Sequence, residues 1–368
     1  MPLADSRAHE DNLCETLQSQ PVPGVGESLP VVNVGDLCCG MGGMALAARE
    51  LGMQVIVGVD VNSAAVRTFG KNFPEAEALD GSVRSPRIIE RCGELLGQTN
   101  GSHAKTVIVS GPPCQGFSVA GSRDPSDPRN QILPAVARAI AVLSPQCALI
   151  ENVAAVLGAT HSALLKTFED TLNHAGYKMV SLVLDAREFG VAQKRKRVFF
   201  LISRCELSNN ELVQRLESLK QAPVNVRSVL EDLPSPLIRP DDYSDENDYD
   251  GTVQNHFAMR HSQRVIDKIT ALAPGTGPMS YRKLDPSSSS NTLFSGHRAP
   301  PAHFNEPRSI TVREAARLQG FPDNFRVYGS FANQMELVTN AVPLPLTRAV
   351  LKVLAESSGL VPAPKNGN

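Results

Sequence analysis

Between Val31 and about Arg204 short apolar runs of β type alternate with helical stretches, and this rhythm leaves few folds open. "VVNVGDL" reads as a buried strand and "MALAARELG" as the helix that follows, ending at Gly52. "QVIVGVD" is the next strand and "AAVRTFGKNF" the next helix. Then come "KTVIVSG", a helix across "ILPAVARAIAVL", "CALIENV", a helix across "SALLKTFEDTLNHAG", and the strand pair "KMVSLVLDA" and "RVFFLISR". Such alternation predicts an α/β fold with a doubly wound sheet and ligands at the carboxyl ends of its strands. The last two strands are joined by "REFGVAQKRK" without a helix, so one strand is expected to run antiparallel and the sheet to be mixed.

After Arg204 the pattern changes. "LEDLPSPLIRPDDYSDENDYDGTVQNHF" is rich in Pro, Asp and Asn, and "RKLDPSSSSNTLFSGHRAPPAHFNEP" in Ser, Pro and His. A second, smaller, loop-rich domain is expected over residues 205–333, with the helix "TVREAARLQG" near its end. The amphipathic helix "LTRAVLKVLAES" is expected to return to the first domain, so that 31–204 is completed by 334–360. Residues 1–30 read as a polar extension bearing Pro and Gly, without the apolar centre of a signal peptide. The chain has 368 residues, enough for one large domain and a smaller one. No apolar run reaches the roughly 20 residues of a membrane span. There is no internal repeat.

The seven cysteines are scattered and form no C-x-x-C pair. A disulfide framework and a metal site are therefore not expected, and a reducing compartment is. The net charge of −2 neither calls for nucleic acid nor excludes it, because a local basic face binds phosphates on a neutral protein. The strongest basic cluster is "QKRKRVFF", Gln193 to Phe200.

Four strand exits carry candidate chemistry. In "DLCCGMGGMALAA", Gly40, Gly42 and Gly43 form a turn between strand and helix that lets a ligand approach backbone N–H groups. Asp60, 20 residues after Gly40, ends the second strand, where an acid bonds ribose hydroxyls. The spacing is not that of the dinucleotide fingerprint, so a nicotinamide cofactor is disfavoured. A tight turn and nothing more is the plain alternative. Cys114, in "GPPCQGFS", follows Pro112 and Pro113, which stiffen the chain just past a strand end. A buried structural cysteine is the commoner fate of a free thiol; the strand-end position and the loop "GSRDPSDPRN" suit a nucleophile that is covered once substrate binds. Glu151, in "ENV", follows the next strand and is either a surface acid or a proton donor beside the thiol. Gln193, Arg195 and Arg197 alternate, which puts them on one strand face. They are either a solvated basic edge or guanidiniums that pair with Glu151 and a substrate oxygen.

In order and sequence, "DLCCGMGG", "GPPCQGFS", "ENV", "QKRKRV", "REAARLQGFPDNF" and "TNAVPLPL" closely resemble the DNA cytosine-5 methyltransferase family, of the bacterial and phage restriction–modification type. They span Val31 to about Leu354, and "GPPCQGFS" and "REAARLQGFP" are the most specific. The resemblance implies a Rossmann-like fold dependent on S-adenosyl-L-methionine, with S-adenosyl-L-homocysteine as product. Cys114, held by Pro113, matches the nucleophile that adds to C6 of cytosine. Glu151 matches the acid that engages N3 and the amino group. Arg195 matches a residue that holds O2 and supports the acid, with Arg197 and Gln193 as helpers. A base within a duplex must be flipped out for this chemistry, and Gln115, Ser118 and Arg123 fall where a loop would clamp the opened DNA. The 205–333 segment corresponds to the target-recognition region.

On the donor side the resemblance marks Cys38, Gly40, Met41, Gly42 and Gly43 at the first turn, and Asp60, Val61, Ser82 and Val83 at the next two strand ends. It also marks Gly111, Pro112, Leu133, Asn340 and Ala341. Here the chain departs from the family. Cys38 stands where an aromatic is usual, Asp60 for a more frequent Glu, Gly81-Ser82-Val83 for Gly-Asp-Ile, and Thr339 for the glycine of "GNAVP". Modest affinity for the donor is the expectation. A tRNA methyltransferase of the same fold usually carries a Cys-Phe-Thr signature, which is absent. A non-catalytic DNA-binding relative would not need Cys114, Glu151, Arg195 and Arg197. Duplex DNA is the expected partner of a cytoplasmic, bacterial, DNA-associated monomer, with a restriction endonuclease for the same site as a further partner.

Overall fold

The computed structural model describes residues 31–97, 105–113, 131–241, 243–245, 253–278, 281–294 and 300–362. Its first half is the alternation expected from sequence, with β3 and α3 added to it: β1 (Val32–Leu37), α1 (Gly43–Glu50), β2 (Gln54–Asp60), α2 (Ser63–Asn72), β3 (Glu77–Asp80), α3 (Pro86–Gly97) and β4 (Lys105–Ser110). Then follow α4 (Ile132–Leu143), β5 (Cys147–Val153), α5 (Ser162–His174), β6 (Lys178–Asp185) and β7 (Lys196–Ser203). The strands form one seven-stranded sheet in the order β3-β2-β1-β4-β5-β7-β6. β7 runs antiparallel to both β5 and β6, while the pairs from β3 to β5 are parallel. The sheet is therefore mixed, with a single reversed strand, as the missing helix between the last two strands predicts.

β1, β4 and β5 are buried on both faces, which is why they read as continuous apolar runs. Strand order reverses between β1 and β4, and the exits of these two strands open a crevice at the carboxyl edge of the sheet. β3 is four residues, "EALD", none of them fully buried, so periodicity alone does not mark it.

Beyond the sheet lie α6 (Asn209–Glu217), α7 (Val226–Leu230), β8 (Leu237–Ile238), β9 (Phe257–Ala258), α8 (Gln263–Thr270), α9 (Val312–Arg317), α10 (Phe331–Asn340) and α11 (Leu344–Ser357). Leu346, Val350, Leu351 and Leu354 of α11 join Val34, Val107 and Leu201 in one apolar cluster, so the last helix does return to the sheet. Leu212 and Leu216 of α6 belong to the same cluster, although α6 follows Arg204. A second cluster joins Phe69 of α2 and Phe73, just past its end, to Val226, Leu284, Ile310 and Phe321. No single helix among the described residues is long and apolar enough to cross a membrane. α10 and α11 together are apolar but bend by 41° at their joint.

Candidate active site

The exits of β1, β2, β4 and β5 line a cleft of about 760 Å³. At β1 the chain turns through Cys38, Gly40 and Gly42, with φ of 61°, 53° and 94°. Gly42 has a packing reason as well: a Cβ there would lie 2.5 Å from the Phe73 ring. The Asp60 carboxylate accepts the N–H of Gly40 and that of Asn62, each at 2.9 Å, and so fixes the turn. Asn62 in turn caps α2, accepting the Ala64 N–H at 2.9 Å. Asp36 accepts the Ala45 N–H at 3.2 Å in the first turn of α1. Burial pushes the carboxyl of Asp60 up and that of Asp36 well above the usual range, and burial also raises the Cys38 thiol.

At the other side of the crevice, β4 ends in Gly111–Pro113. The Ser110 hydroxyl donates to the Leu37 carbonyl, and the Asn152 amide donates to the Pro112 carbonyl at 3.3 Å. Strand exits β1, β4 and β5 are thereby tied together. Glu151 is buried, and Arg197 Nε meets its Oε1 at 2.7 Å. Antiparallel pairing sets Val153 opposite Arg197, which brings the guanidinium to the acid. Burial raises the Glu151 carboxyl above its ordinary value, against the pull of Arg197 and then Arg195. Gly111 is close by; a Cβ on it would lie 3.7 Å from Glu151 Oε2.

Such a site combines an acid kept ready to hold a proton, a guanidinium fork beside it, and a strand end leading directly into Cys114. The family model for C-5 cytosine-specific DNA methylase matches residues 32–356. The chain belongs to this family. Proteins similar to it include the type II methyltransferases M.DdeI of Desulfomicrobium norvegicum and M1.HphI of Haemophilus parahaemolyticus, each 28% identical over 87% of the chain. The alignments cover 87% and 85% of those proteins. A solved structure described as a candidate DNA modification methyltransferase from an E. coli prophage superposes with a TM-score of 0.73 at 25% identity, covering 88% of this chain and 99% of that one. S. pombe Dnmt2 shares the fold, with a TM-score of 0.60 at 18% identity, over 88% of this chain and 98% of its own. The protein is a DNA cytosine-5 methyltransferase.

The methylase fold gathers most of the residues singled out from sequence. Cys38, Gly40, Met41, Gly43, Asp60, Val61, Ser82, Val83, Gly111, Pro112, Pro113, Glu151, Arg195, Arg197, Asn340 and Ala341 all line the cleft. Cys114, Gln115, Ser118 and Arg123 lie outside the described residues.

At four positions the geometry differs from the one expected. Gly42 does not line the cleft; it backs the turn against Phe73. Leu133, 2% exposed, points into the core between α4 and the sheet, and the preceding Ile132 lines the cleft instead. Gln193 is fully buried and bridges to Ser290, because the chain enters β7 only at Lys196. The ion pair to Glu151 comes from Arg197, while Arg195 donates to the Thr339 and Asn340 carbonyls at 2.9 and 3.5 Å.

Several lining residues were not singled out. Asp36 sits inside an apolar strand run, where one acid near the carboxyl end was the available signal. Phe294 and Glu336 reach the cleft from distant segments, and nothing local in the sequence marks them.

Proposed function

We propose that this enzyme transfers a methyl group from S-adenosylmethionine to C5 of a cytosine turned out of duplex DNA, with Cys114, Glu151 and Arg197 acting on the base. The buried Glu151–Arg197 pair beside Gly111–Pro113 carries this reading. C5 of cytosine is a weak nucleophile. The Cys114 thiolate adds to C6, breaking the C5–C6 double bond and making C5 enamine-like, while the proton on Glu151 is shared with N3. Arg197 steadies the acid and holds the base's O2 in the fork geometry guanidinium provides. Once C5 has taken the methyl group from the donor sulfur, the C5 proton leaves to a water, the C6–S bond to Cys114 breaks and the double bond is restored.

The donor end of the cleft fits S-adenosylmethionine. The whole cleft, about 760 Å³, lies in the range of small-molecule sites, with space for a donor and a base to share. Met41, Val61 and Val83 supply apolar walls, and Val61 is 70% exposed for a side chain with no other burial. Asp36 Oδ1 is buried without a hydrogen-bond partner among the described residues, and Asp60 stands where ribose hydroxyls are bonded. The donor supplies an electrophilic methyl group. Apart from Phe294, no aromatic side chain lines the cleft among the described residues, which supports modest donor affinity. Residues 205–333 serve as the target-recognition region, a monomer acts on duplex DNA, and an endonuclease cutting the same site is the natural companion.

Bisulfite sequencing of DNA from cells expressing the chain is the direct test. We expect protected cytosines within one short sequence context, none with Cys114→Ala, and no methylation of tRNA assayed in parallel. Unprotected DNA from the parent chain, with folded protein present, overturns the reading.

A further inference from the structure

Helix α10 ends at a joint where its last carbonyls lose their ordinary donors. In a continuing helix the Thr339 carbonyl would take the N–H of residue 343, and that of Asn340 the N–H of residue 344. Residue 343 is Pro343, which has no N–H. The N–H of Leu344 is turned to the Gln319 carbonyl at 3.1 Å.

Arg195 fills this gap from the sheet side. Its Nη1 donates to Thr339 O at 2.9 Å and its Nη2 to Asn340 O at 3.5 Å. The side chain is 3% exposed, so its cation faces the negative end of the helix dipole away from water. Its backbone is anchored in turn, since Lys194 N–H donates to Ser290 O at 2.8 Å and Ser290 N–H donates to Ala192 O at 2.9 Å. Thr339 and Asn340, the residues it clamps, form one wall of the cleft together with the adjoining Ala341. Arg197, two residues on, is the one that meets Glu151.

We propose that Arg195 is a positioning residue for the methyl donor: by clamping the Thr339 and Asn340 carbonyls it holds the Thr339–Ala341 wall in place for donor binding and does not act on the base. This rests on the reading of that end of the cleft as the donor site. The rival is a direct contact between Arg195 and O2 of the cytosine, and the two differ in what they disturb. A positioning role lowers donor affinity and raises the KM for donor. A base contact lowers kcat and leaves donor affinity alone.

The test uses the full-length wild type, Arg195→Lys and Arg195→Met. Calorimetric titration with S-adenosylhomocysteine is run beside steady-state methylation at saturating donor. For Arg195→Met we expect affinity weaker by about tenfold, about 1.4 kcal/mol, with kcat within about threefold of wild type. Arg195→Lys keeps the charge but not the fork, and an intermediate loss of about threefold is expected. Affinity within about twofold of wild type together with a collapsed kcat overturns the proposal in favour of a base contact. If Arg195→Met melts without a cooperative transition, Arg195→Lys decides by the same criterion. A wild type that methylates DNA but shows no S-adenosylhomocysteine binding removes the donor-site reading, and the proposal falls with it. A wild type without methylation that still binds S-adenosylhomocysteine, with the tenfold loss in Arg195→Met, supports the proposal while the reading of the base site fails.

Discussion

Glu151 is held between two opposed pressures. Burial raises its carboxyl, and the Arg197 guanidinium 2.7 Å away lowers it. The role given to it needs the proton, so activity is present below its pKa and is lost as pH rises through it. Arg197→Met removes the largest lowering influence, and the loss of activity moves to higher pH. On the plateau below both limbs the rate falls by about a hundredfold, because the guanidinium that stabilises the base's oxygen is gone. Single-turnover methylation across pH checks both, and an alkaline limb that stays in place shows that another group sets it. Residues like Glu151 were legible because a lone acid at the end of an apolar strand has few other reasons to be there. Gln193 was not, because alternation tells which residues share a face but not where the strand begins. Ile132 and Leu133 show the same limit within a helix: neighbours lie about 100° apart, and only packing selects the one that reaches the cleft.

At the scale of elements, α9 shows how a short helix is fixed by polar groups. Thr311 accepts the Glu314 N–H at 3.1 Å and Glu314 accepts the Thr311 N–H at 2.7 Å, which completes a capping box. Arg308 closes a fork on the same carboxylate at 2.8 and 2.7 Å. Burial alone would raise Glu314, but the fork and the Thr311 N–H bring it below its ordinary value. A lowered folded-state pKa stabilises the fold above the unfolded value, and that stability is lost as pH falls through the folded one. Glu314→Gln leaves the buried Arg308 to pair with Glu306 alone, at 3.0 Å, and the loss of its charged fork is expected to cost about 2 kcal/mol at neutral pH. The gap to wild type narrows on acidification, and urea melts at neutral and acidic pH measure it. A gap independent of pH refutes the assignment. The spacing Thr311-x-x-Glu314 makes this helix readable from sequence. By contrast β8 and β9 are two residues each and depend on chain far away.

For the molecule as a whole, net charge says little and charge placement says more. A chain of net charge −2 must gather cations on one side to hold a duplex. Binding to target DNA is therefore expected to fall log-linearly with salt, by about 0.9 decade per decade of salt for each phosphate contacted. Fluorescence anisotropy between low and physiological salt measures this slope, and a flat response overturns a phosphate-held complex. The α/β architecture was legible because its parallel strands, buried on both faces, write themselves as apolar runs. The second half was less so, because its chain is held by isolated bridges and side-chain bonds rather than by periodic faces.

Phe69, on the helix that follows Asp60, and Phe73, just past its end, share an apolar cluster with Val226, Leu284, Ile310 and Phe321. The sheet half and the chain beyond Arg204 are thus cemented through one oil-like seam. With the second half as the proposed target-recognition region, lineages of such an enzyme cannot trade it wholesale without reopening that seam. New specificities are left to arise in the polar loops at its rim, where a change of address does not disturb the engine.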